Sequence, residues 1–261
     1  MRELRRILPD ERIIYFGDLA RLPYGIKSEA QIRTFSDENT RFLLNYGIKA
    51  LVVACNSSSS AAYSFLKKTY HELPIIDVIE PAARLAVSAT RNGKIGVMAT
   101  QATVGSGAYE KAIKRQNHSL GVESVACPLL VPLVEEGILK GAILTLTLKR
   151  YLVPLLQKKI DTLILGCTHY PLLEDEIQKV AGTKVKLIHS APQAAFELRE
   201  RLKASGAIAA KIAKSQRLQV FVSDSPLNFK AIASRFLGES LGRVHMVKFE
   251  GQVLKNGGWV K

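Results

Sequence analysis

Short apolar, β-branched runs alternate with helix-length amphipathic stretches along the whole chain, a pattern that implies parallel sheets with helices on both faces. Strand candidates are Arg12–Phe16, Ala50–Ala54, Ile75–Ile79, Lys94–Ala99, Val122–Ala126, Thr162–Leu165, Val185–His189, Leu218–Val222 and Val244–Phe249. The helical stretch from Ser28 to Tyr46 opens with "SEAQ", a capping-box pattern, and stops at Gly47. A second follows Glu80 and carries Pro81 in its first turn, where no intrahelical N–H is needed. Residues 191–204 place Ala194, Ala195, Leu198 and Leu202 at helical spacing. The expected class is α/β, and ligands of such folds bind beyond the carboxyl ends of the strands.

Two of those strand ends are chemically unusual. "LILGCTHYPLL" (163–173) runs from three apolar positions through the glycine into Cys167, Thr168, His169 and Tyr170. "LVVACNSSS" (51–59) repeats the design with Cys55, Asn56 and three serines. The chain has 3 cysteines, so two of them share one kind of place about 110 residues apart, as if each came from one of two α/β lobes facing a cleft. Cys127 fits the ordinary behaviour of an unpaired cysteine, a small buried hydrophobe, since it ends an apolar run and precedes proline and leucines. Cys55 and Cys167 fit it poorly, because the polar residues after them would need partners in an interior.

Three chemistries remain for the pair. A metal shared by Cys167 and His169 lacks the usual companion ligands. A Cys–His nucleophile acting on an acyl group uses one thiol and leaves the other idle. Two thiols flanking a carbon acid use both: one removes a proton from one face while the other returns one to the opposite face. Both cysteines sit at a strand-to-helix turn, where free N–H groups favour thiolate and bind carboxylate. Asn56, Ser57 and Thr168 add donors, and His169 can act as an acid or orient Cys167. No glycine-rich phosphate loop is present, so the two-thiol reading is cofactor-free inversion at Cα of an amino acid.

Composition narrows the setting. Three cysteines do not make a disulfide framework in a chain of 261 residues, which suggests a reducing compartment. "MRELRRILPDERI" has no apolar core of a signal peptide, and no uncharged run approaches the roughly 20 residues that span a bilayer. A cytoplasmic protein without a membrane partner is expected. Lys+Arg 37 against Asp+Glu 23 gives +14, which favours anionic partners such as nucleic acid, acidic lipid or an acidic small substrate. The surplus is scattered (Lys114-Arg115, Lys149-Arg150, Lys158-Lys159, Lys211 to Lys214) with no aromatic-interleaved basic stretch. Solvated helix faces explain it better than a nucleic-acid surface.

"GDLARLPYG" (17–25), "ACNSSS" (54–59), "GVMATQATVGSGAY" (96–109), "CPLLVPLVEEG" (127–137), "LGCTHYPLL" (165–173) and "FVSDSPLNFKAIASRFLG" (221–238) occur in order. Together they resemble the successive motifs of the glutamate racemases, within the aspartate/glutamate racemase superfamily, over nearly the whole chain. The resemblance implies a cofactor-independent interconversion of L- and D-glutamate that supplies peptidoglycan synthesis, and it is compatible with a homodimer. It implies two lobes, each with a mainly parallel sheet flanked by helices: residues 1–80 with 190–261, carrying Cys55, and residues 81–189, carrying Cys167. Cys55 and Cys167 match the acid/base cysteines. Tyr24, Gly25, Asn56, Ser57, Thr168 and His169 match substrate-binding positions. Glu135 matches an acidic residue that assists one thiol, with His169 assisting on the other side; a solvated carboxylate at a helix end is the plainer reading of Glu135.

The chain also departs from the pattern. The strand and Asp-Ser pair with which family members usually begin are absent, and either a start upstream of Met1 or a shortened product accounts for that; the intact later motifs favour the former. Leu19, Ser57 and His189 stand where a small hydroxyl residue, a threonine and an aspartate are usual. Another two-cysteine racemase, for aspartate or a related carbon acid, and an inactive homologue acting as a binding protein are the alternatives.

Overall fold

In the computed structural model, which describes residues 1–210, 217–238, 240–250 and 253–255, the parallel sheets fall into two regions of the chain. The larger sheet contains β4 (Lys94–Ala99), β5 (Gly121–Ala126), β6 (Thr162–Gly166) and β7 (Lys186–Ile188) in the order β5-β4-β6-β7, all parallel. The other region holds β1 (Ile13–Gly17), β8 (Leu218–Val222) and β9 (Val244–Met246) in the order β1-β8-β9, and the short pair β2 (Leu51–Val52) and β3 (Ile75–Ile76), again all parallel.

Period-two alternation gives the larger sheet two cores. On β4, Ile95, Val97 and Ala99 face one side while Met98 faces the other; on β6, Leu163 and Leu165 oppose Ile164. The first side is covered by α4 (Ile79–Ala89) and α6 (Ala108–Gln116) through Ala82, Ala83, Ala86, Ala112 and Ile113. The second is covered by α8 (Ala142–Gln157) and α9 (Glu174–Ala181). In α8 the buried residues Leu144, Leu148, Leu152 and Leu155 recur every three or four positions. Each such leucine contributes about 2 kcal/mol by leaving water. In the other region α2 (Glu29–Leu44) and α3 (Asn56–Thr69) bring Phe42, Leu43, Ala62 and Leu66 against Leu51, Val53, Ile75 and Phe221.

Several local expectations are met. Ser28 caps α2 by accepting from the Gln31 N–H at 3.3 Å. Pro81 lies in the first turn of α4. α10 (Ser190–Ala204) buries Ala194, Ala195, Leu198 and Leu202.

Two strand expectations are corrected. The run Ile75–Ile79 is extended only to Ile76, because the Asp77 carboxylate accepts from the N–H groups of Ile79 (2.8 Å) and Glu80 (3.1 Å) and starts α4 there. The run Val244–Phe249 breaks at Val247, whose N–H donates to the Val222 carbonyl at 2.8 Å. Beyond it, β10 (Lys248–Glu250) pairs antiparallel with β11 (Val253–Lys255). The basic residues Lys211 to Lys214 lie outside the described residues. Among the described residues no helix is long and apolar enough to cross a membrane.

Candidate active site

Cys55 and Cys167 leave the carboxyl ends of β2 and β6, one from each region. Cys55 is half-buried at the N-cap of α3, with extended backbone angles. Its carbonyl accepts the Ser59 N–H at 2.8 Å, while the N–H groups of the first helical turn have no intrahelical acceptor. Those groups and the helix dipole favour an anion at this point. Asn56, Ser57, Ser58 and Ser59 are all buried, so the polar run after Cys55 is interior and must find partners. Ser59 satisfies itself on the Val53 carbonyl at 2.8 Å, and Ser57 reaches the Thr100 hydroxyl, 2.9 Å away.

Cys167 is 7% exposed and its surroundings are drier. Burial, with a smaller push from the charge of Cys55, outweighs the stabilising hydrogen bonds from His169 and Thr168 and leaves the thiol raised to about 12. Cys167 is therefore a neutral thiol at neutral pH, placed as a proton donor. Its sulfur lies 3.8 Å from Nδ1 of His169, and that nitrogen is also 3.4 Å from the Thr168 hydroxyl. The far nitrogen, Nε2, lies 3.4 Å from the Glu135 carboxylate, which stands at the end of α7 (Leu130–Glu135). A proton on Nε2 facing Glu135 leaves the Nδ1 lone pair for the thiol. Glu135 and His169 thus meet on the Cys167 side, whereas the family resemblance implies that they assist different thiols.

Tyr24 and Gly25 form a short 3₁₀ turn, Tyr24–Ile26. The Tyr24 hydroxyl donates to Asp18 and accepts from Asn39 Nδ2 at 3.2 Å. Asp18 also accepts from Arg21 (2.7 Å) and Ser223 (3.0 Å). Burial, and then the charge of Asp18, hold the phenol far above its ordinary range, so it stays a donor. The Tyr24 hydroxyl is thus engaged in fixing its own turn. Gly25 packs so close to Thr100 that an added Cβ would lie 2.8 Å from the threonine Cβ. Only glycine allows that approach.

Cys127 is fully buried, and burial raises its thiol strongly. His189, which stands in place of the expected aspartate, pairs through Nε2 with Glu174 at 2.9 Å. No group of three or more His, Cys, Asp or Glu among the described residues could hold a metal ion.

Asp18, Thr100 and Tyr109 were given no role from the sequence, although each lies in one of the quoted motifs. Their partners are distant in the chain, as with Tyr109, whose hydroxyl donates to Asn56 Oδ1 at 2.7 Å across 53 residues. The signal available was their position inside those motifs.

Comparison with known proteins follows the same lines. The family model described as Asp/Glu/Hydantoin racemase matches residues 1–198. The chain is 44% identical to the glutamate racemase of Geobacter metallireducens over 252 residues, 97% of this chain and 93% of that protein. It is 45% identical to that of Neisseria meningitidis serogroup A over 247 residues, 95% and 91% of the two chains. The crystal structure of Francisella tularensis glutamate racemase in complex with D-glutamate superposes with a TM-score of 0.88 at 37% identity, covering 95% of this chain and 91% of that one.

Proposed function

Since the chain belongs to the glutamate racemases of the Asp/Glu/hydantoin racemase family, we propose that it interconverts L- and D-glutamate through two thiols, Cys55 and Cys167, without a cofactor. The observation that carries the reading is the matched exit of two cysteines from β2 and β6 into turns rich in donors, with each region contributing one. The lobes are read as residues 1–80 with 190–261 and residues 81–189, the division that the sheet membership supports. The D-glutamate formed would feed peptidoglycan synthesis.

The proposed reaction uses each thiol once. A thiolate on one side takes the Cα proton, leaving a carbanion whose charge spreads into the substrate carboxylate. The opposite thiol gives its own proton to the other face of Cα and becomes the thiolate. The product is the mirror-image amino acid, with the protonation of the two sulfurs exchanged. Donors of Asn56 and Ser57 would hold the carboxylate alike in ground and transition states, while Thr168 and the free N–H groups at the turns would stabilise the developing charge. When Cys167 must act as the base, its raised affinity for the proton is an obstacle, and Nδ1 of His169 is the acceptor at hand.

Replacing either Cys55 or Cys167 by alanine should abolish racemisation, whereas Cys127→Ala should keep it nearly intact. The measurement is circular dichroism of glutamate together with solvent deuterium entering Cα. A Cys55→Ala, Cys167→Ala double variant that still racemised glutamate would show the two-thiol reading to be wrong.

A further inference from the structure

Tyr109, near the start of α6, is 2% exposed and touches both cysteine turns. Its ring lies against Gly166, the residue before Cys167, so closely that a Cβ there would sit 3.0 Å from Cε2. Its hydroxyl donates to Oδ1 of Asn56, the residue after Cys55, at 2.7 Å. Asn56 is also 2% exposed, and its Nδ2 has no partner. An orphaned amide donor at that depth is costly unless something comes to meet it.

The orientation of the amide is determined by counting donors and acceptors. As placed, the phenolic proton is satisfied and Nδ2 alone is left over. Turned by 180°, the amide would give its N–H to the phenol oxygen, leaving both the phenolic proton and Oδ1 without partners. We propose that Tyr109 is a positioning residue that locks the Asn56 side chain with Nδ2 as the free donor, presented to a carboxylate oxygen of the substrate. Burial holds the phenol protonated far above the working range, so the lock does not loosen with pH near neutrality. The inference rests on reading Asn56 as a carboxylate-binding residue.

Tyr109→Phe tests it, since phenylalanine keeps the ring against Gly166 and removes only the hydroxyl. A hydrogen bond that holds substrate alike in ground and transition states acts on KM. Loss of the lock should raise KM about ten-fold for both enantiomers with kcat little changed, and weaken D-glutamate binding by calorimetry to a similar degree. The pH profile should stay where it is. In an Asn56→Ala background the same substitution should have no further effect, because its target is gone.

Unchanged KM and unchanged D-glutamate affinity in Tyr109→Phe would overturn the inference, as would effects that simply add to those of Asn56→Ala. A fall in kcat at constant KM would do the same. Calorimetry keeps the two claims apart. A wild-type chain that binds D-glutamate without racemising it overturns the proposed function and leaves Tyr109 to be judged on binding. A chain that does not bind glutamate at all overturns both.

Discussion

At the residue scale, the two thiols differ in ways that their near-identical sequence settings hide. Both follow an apolar run, yet Cys55 is half-buried at a helix N-cap and Cys167 is nearly enclosed and protonated at rest. In the proposed reaction the Glu135–His169–Cys167 array offsets that enclosure, because it sets a proton acceptor 3.8 Å from the thiol. Glu135→Gln keeps the side-chain volume but removes the charge that faces Nε2. It should lower kcat/KM by roughly a hundred-fold, the lower end for a general acid–base device. The loss must be the same for L- and D-glutamate, because enantiomers have an equilibrium constant of one in an achiral solvent. Steady-state kinetics in both directions checks it, and full activity in Glu135→Gln would leave that carboxylate as the plain helix-end residue it resembled in the sequence.

At the element scale, β6 is held to its neighbours by the absence of a side chain at its last residue. A Cβ on Gly166 would lie 3.0 Å from the Ala99 Cβ, 3.0 Å from the Met98 carbonyl oxygen and 3.0 Å from the Tyr109 ring. One of those contacts is backbone and another a methyl fixed on a central strand, so the sheet cannot yield cheaply. Gly166→Ala should destabilise the protein by about 1–3 kcal/mol and move the Cys167 turn enough to depress racemisation. Thermal melting and activity would read the two effects, and a variant with unchanged Tm and rate would mean that β6 shifts freely. Strand positions were largely legible in advance because apolar runs are local: Lys94–Ala99 and Leu218–Val222 were read to the residue. The end of β3 was not, since Asp77 stops that strand by a side-chain bond that hydrophobic periodicity does not register.

At the scale of the whole molecule, burial of acidic hydrogens ties stability to alkaline pH. Cys167, Cys127, Tyr15, Tyr109 and Tyr170 all have proton affinities raised chiefly by burial, Cys167 and Tyr15 to about 12. A raised folded-state value favours the protonated form, so this stabilisation is complete below the unfolded values and is lost as pH climbs toward the folded ones. Thiols of an unfolded chain titrate near ~8.5 and phenols near ~10. The Tm should therefore hold from pH 7 to about 8 and fall progressively above it, with a shallower decline in Cys127→Ala; a Tm indifferent to pH up to 10 would contradict this. The alternation of strand and helix periods, and the class of parallel α/β sheets, followed from the sequence alone, because backbone geometry dictates those periods locally. So did the pairing of Cys55 with Cys167 as the unusual residues, since polar groups at the end of a buried strand demand a use. Only the tertiary structure decided which partners those groups have. It brought Glu135 to His169, buried the serine run after Cys55, and joined Tyr109 to Asn56, because each contact is made by residues far apart in the chain that meet only when the sheets and helices pack.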